Sequence, residues 1–76
     1  MPKGNKKEDV AIRLGRRSKE LRIAKGLTQM EMSALSGLGQ AYLSRVESGA
    51  KRICIDSLDA IATALNVTLS ELLNTV

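Results

Sequence analysis

The chain has 76 residues, 43% of them apolar, with Tyr42 as its one aromatic side chain and no histidine. That length allows one domain. The apolar share excludes a disordered chain, and the lack of rings favours a core of Leu, Ile, Val, Met and Ala on small packed helices over a strand sandwich. The net charge of +4 is uneven: residues 1–29 hold nine Lys and Arg against three Asp and Glu (+6), and residues 30–76 hold three against five (−2).

A basic end of this kind points to a polyanionic partner. The single cysteine, Cys54, excludes an internal disulfide and fits a reducing compartment. No stretch approaches the roughly 20 apolar residues of a membrane span. Met1–Lys7 is charged and has no apolar core after it, so no secretory leader is expected. The expectation is a soluble cytoplasmic protein with no membrane partner.

Residues 1–7, "MPKGNKK", have nothing to bury and read as a flexible basic arm. Residues 8–76 read as a single domain. A first helix is expected over Glu8–Lys25, with Val10, Leu14, Leu21 and Ala24 inward and Arg13, Arg16, Arg17 and Lys19 around the rest. Glu8 and Asp9 suit its N-terminal dipole, and Gly26 supplies its stop. Thr28 caps a second helix and Glu31 completes the capping box. Met32 and Leu35 are its expected inward residues, and Gly37 ends it. Met30 reads as core filler or a dimer contact.

A third helix runs from about Gln40 to Ser48, held by Leu43 and Val46 and stopped by Gly49. A basic loop, Ala50–Ile53, follows. The fourth helix starts at Cys54 or Asp56, carries Leu58, Ile61, Ala62 and Leu65 at helical spacing, and ends at Asn66. Thr68 and Glu71 form a second capping box before a short last helix with Leu69, Leu72 and Leu73. The expected fold class is all-α, with five helices.

Two short helices joined around Gly37 are the pattern of a helix-turn-helix, whose second member enters the major groove of DNA. This explains the polar side of the third helix. With Leu43 and Val46 inward, Gln40, Ala41, Ser44, Arg45 and Ser48 face out. Gln bonds adenine edges, Arg bonds guanine O6 and N7, and an alanine methyl touches thymine without a hydrogen bond. The base-reading candidates are therefore Gln40, Ala41 and Arg45. The backbone candidates are Gln29 at a helix N-terminus, Tyr42, Ser44, Ser48, and the loop cations Lys51 and Arg52.

"GLTQMEMSALSGLGQAYLSRVESG" followed by "IDSLDAIATALNVTLSELL" resembles the phage-repressor-like, or Xre-type, helix-turn-helix family over roughly Leu14–Leu73. The resemblance implies a lambda-repressor-like DNA-binding domain. It implies that Gln29 bonds a phosphate and braces Gln40, that Arg22 and Glu47 form a structural ion pair, and that two copies join through C-terminal helices to bind double-stranded DNA. The sequence departs from the family pattern at Gly39, where a Ser or Thr cap is usual, and at Ser18, Ala41, Ile53 and Cys54.

No catalytic, metal or cofactor site is expected. The chain lacks histidine, a paired-carboxylate pocket, metal-ligand spacing and a glycine-rich phosphate loop. Cys54 reads as a partly buried small residue. The function class is a dimeric transcription regulator without a ligand-sensing domain. A restriction–modification controller fits best, ahead of a phage repressor. The alternatives are an antitoxin, or an adaptor in which the same helices bind a protein partner.

Overall fold

The computed structural model describes residues 9–76, so the expected arm lies outside the described residues. Five helices and no strand are found there: α1 Val10–Ala24, α2 Gln29–Ser36, α3 Gln40–Ser48, α4 Ile55–Leu65 and α5 Leu69–Leu72. Local chemistry accounts for most of the boundaries. Asp9 is extended and its carboxylate accepts from the Ala11 N–H, so α1 starts one residue after the cap rather than at Glu8. Both capping boxes form, Thr28 with Glu31 and Thr68 with Glu71. Gly37 closes α2 in the left-handed region, and Asn66 does the same for α4.

The core gathers Leu14, Met32, Leu43, Val46, Ile61, Ala62, Leu65 and Leu72, so every helix contributes at least one side chain. Three inward expectations fail. Leu35 is 60% and Val10 49% exposed, and Ala24 lies at the surface. Val10 and Leu35 each sit beside a core residue on their helix but on the wrong flank of the buried stripe, whereas Ala24 is the last residue of α1, beyond its buried positions. Met30 is also exposed, which removes it from the core, whereas Met32 is fully enclosed. Cys54 is exposed rather than partly buried, because it is the cap of α4 and precedes the first turn.

The placement of α3 depends on how closely α1 passes it. Gly15 faces the end of α3, and a Cβ there would lie 2.1 Å from the Val46 carbonyl oxygen and 3.0 Å from that of Glu47. Gly49, the left-handed stop of α3, would bring a Cβ to 2.7 Å from Ile12 Cγ1. No larger residue fits this crossing without moving a backbone. At the other side of α1, Arg17 Nη2 donates to the Glu71 carbonyl at 2.7 Å and Arg13 donates to the Val76 carbonyl. These two arginines tie the C-terminal turn down, where periodicity alone assigned them to the surface.

Candidate nucleic-acid interface

The turn between α2 and α3 satisfies its own polar groups. The Ser33 hydroxyl donates to the Leu38 carbonyl at 2.6 Å, and the Leu38 N–H donates to the Ser36 hydroxyl at 3.1 Å. The chain is thereby stiffened where it changes direction. α3 then begins behind Gly39, which gives no side-chain cap, so the expected weaker cap is present. Leu43 and Val46 are sealed into the core, and Tyr42 is half-buried against it.

With that side taken, Gln40, Ala41, Ser44, Arg45 and Ser48 form one exposed stripe. They sit at i, i+1, i+4, i+5 and i+8, which is one face of a helix. Among the described residues, the Arg45 guanidinium makes no bond inside the chain. Ser48 is less free, because its hydroxyl donates to the Arg45 carbonyl at 3.0 Å and finishes the last turn.

A polar clamp fixes the far end of α3. Glu47 accepts from Arg22 Nε at 2.7 Å on one oxygen, and from Arg22 Nη2 at 3.1 Å on the other. The second oxygen also accepts from Gln29 Nε2 at 3.0 Å. Arg22 Nη1 reaches the Leu27 carbonyl at 2.7 Å. The two ionic side chains are only 11% and 5% exposed. One carboxylate thus joins the end of α1, the start of α2 and the end of α3. The ion pair is where it was expected. Gln29 is held by Glu47, not by Gln40, and its second amide N–H remains for another acceptor.

The loop cations divide. Lys51 Nζ lies 5.6 Å from the centre of the Tyr42 ring, a cation–π distance that leaves its charge intact. Arg52 instead meets Asp9, with Nη1 donating to Oδ1 at 2.9 Å. The Arg52 guanidinium, and then the Ala11 N–H, hold the Asp9 carboxyl below its ordinary value, and Asp9 in turn raises Arg52. At the cap of α4, bonding from the Ser57 hydroxyl and then its backbone N–H lowers the Cys54 thiol. Among the described residues no group of three His, Cys, Asp or Glu converges on a metal position.

The helix-turn-helix family profile matches residues 19–72, which takes in the corner, the clamp and both C-terminal helices. The chain belongs to the helix-turn-helix family. It is of the Xre type, a class of DNA-binding transcriptional regulators and not of enzymes. It is 35% identical over 69 residues to the control protein C.MunI from a Mycoplasma species, covering 90% of this chain and 93% of that one. It is 41% identical over 64 residues to the HTH-type transcriptional regulator y4dJ of Sinorhizobium fredii, covering 84% and 83%. The crystal structure of the restriction–modification controller protein C.AhdI from Aeromonas hydrophila superposes with a TM-score of 0.82. Identity there is 37%, over 86% of this chain and 98% of C.AhdI.

Two contacts of this helix-turn-helix protein were not foreseen. The Gln29–Glu47 and Arg52–Asp9 bonds join residues 18 and 43 positions apart, and no local pattern encodes either. The opposite charges of Arg52 and Asp9 were the one signal available, and the neutral Gln29 offered none. Among the described residues, no helix is long and apolar enough to cross a membrane.

Proposed function

We propose that the protein binds an inverted-repeat operator as a dimer and controls transcription there, as a restriction–modification controller working in the cytoplasm. The observation that carries this is the exposed stripe on α3, backed by a sealed apolar face and clamped at its end. Gln40 and Arg45 offer an amide and a guanidinium on the exposed face of α3, suited to base edges, with Ala41 beside them for a methyl. Ser44 and Ser48 within this stripe, with Gln29, Tyr42, Lys51 and Arg52 around it, supply phosphate contacts. The match in length to C.MunI and C.AhdI, 93% and 98% of their chains, supports the controller role.

Dimerisation through the C-terminal helices is supported by apolar surface left open beside them. Leu73 is 42% and Ile55 71% exposed, and a groove of about 340 Å³ runs between Val10, Leu14, Ile53, Leu58 and Leu73. Covering such surface is a natural source of stability for so small a domain. Two recognition helices related by two-fold symmetry enter successive major grooves about 34 Å apart.

The test is a footprint on DNA upstream of the protein's own gene, against random duplex, at two salt concentrations. A protected inverted repeat whose binding falls steeply with salt is the expected result. Weak and uniform binding favours the adaptor alternative. In the same assay Arg45→Ala is expected to lose about 1–3 kcal/mol and to relax preference at one base position per half-site. An equal loss on every sequence removes Arg45 from base reading.

A further inference from the structure

We propose that Asp9 is an internal competitor for Arg52, weakening the hold that the loop after α3 has on the DNA backbone. The inference rests on the duplex-binding reading and adds to it a residue outside the corner.

Arg52 and Asp9 meet fork to fork. Nη1 donates to one carboxylate oxygen at 2.9 Å and Nη2 to the other at 2.5 Å. A guanidinium grips two phosphate oxygens in the same two-pronged way, so the prongs turned to Asp9 are unavailable to a phosphate. The pair is open to solvent, with Arg52 73% and Asp9 40% exposed, and an approaching phosphate can reach it. The fold brings the two together through the crossing of α1 and α3. Gly49 sits against Ile12, so the first turn of α1 lies beside the loop that carries Arg52.

Asp9 also caps α1 by accepting the Ala11 N–H at 3.1 Å. That duty does not need a charge, since Asn and Ser cap as well as Asp. Beyond a modest interaction with the α1 dipole, the negative charge is not required by the cap, and it offsets Arg52. Lys51, resting over the Tyr42 ring, keeps its charge. The loop that carries two cations in sequence therefore presents the DNA with little more than one.

The experiment compares the full chain with Asp9→Asn, Asp9→Ser, Arg52→Gln and the double variant Asp9→Asn/Arg52→Gln. The probes are the upstream duplex and a random duplex, at several salt concentrations. Asp9→Asn and Asp9→Ser are expected to bind both duplexes about two- to fivefold more tightly. The salt slope should steepen by about one, as for one further phosphate contact. In the Arg52→Gln background the gain should vanish. Melting curves matching the parent show that the cap survives.

Unchanged or weaker binding by both capped variants overturns the proposal, because the bridge then positions Arg52 instead of occupying it. An equal gain in the Arg52→Gln background also overturns it, as a general effect of net charge. Failure of the parent itself to bind either duplex overturns the DNA reading, and is seen before any variant is compared.

Discussion

α2 and α3 are nearly equal in length, at 8 and 9 residues, yet they are held in different ways. α2 carries its own instructions. A complete capping box starts it, a left-handed glycine stops it, and serines close the turn beyond. α3 has no side-chain cap at its start, and only Leu43 and Val46 of its side chains are fully buried. It keeps its position because other parts of the chain grip it: α1 through Gly15 and Gly49, and Arg22 with Gln29 through Glu47. A helix whose outer face stays in solvent has few side chains left for its own stability, so its support must come from behind. α2 is a local structure and α3 a tertiary one.

That difference is broken most severely at the clamp. Glu47→Ala leaves Arg22 with a buried, unpaired guanidinium and releases Gln29, and the expected loss is about 3–5 kcal/mol of stability. For a domain of this size that is a fall in Tm of roughly 12–40 °C. Thermal unfolding followed by circular dichroism measures it, and a Tm equal to the parent's contradicts the structural role. Gly15→Ala comes next. The added methyl meets backbone oxygens, which cannot swing aside as a side chain can. α1 and α3 must separate, at an expected cost of about 1–3 kcal/mol. Denaturant melts give the size of the loss, and a gain in stability from the better helix former shows that the crossing is looser than described.

The split between local and tertiary also explains what could be read from the sequence. The five helices were legible because their ends are written locally, in Thr28 with Glu31, Thr68 with Glu71, Gly37, Gly49 and Asn66. The outer face of α3 was legible because Leu43 and Val46 leave only one orientation. Leu35 and Val10 were misjudged for the opposite reason. In a helix of two turns, or in the first turn of a longer one, two neighbouring flanks have equally good spacing, and only distant packing chooses between them. Met32 took the place in the core, and Leu35 was left in solvent. The partners of Gln29 and Arg52 were hidden in the same way. A bond across 43 residues becomes visible only when α1 and the loop after α3 have been brought side by side.

The smallest effects sharpen the comparison most. Thr28→Ala removes the side-chain half of the α2 cap and is expected to cost about 1 kcal/mol. Gly39→Ser supplies the cap that α3 lacks and is expected to gain only a few tenths of a kcal/mol, since glycine is already a tolerated cap. If α2 is encoded locally and α3 is held from behind, amide exchange should separate the two variants in space as well as in size. Thr28→Ala should speed exchange in the first turn of α2 and leave α4 unchanged. Gly39→Ser should slow exchange at the start of α3 without raising the global stability measurably. A large global gain from Gly39→Ser means instead that the start of α3 is the weak point of the whole domain, with the grip of Glu47 and Gly15 reaching only its last turns.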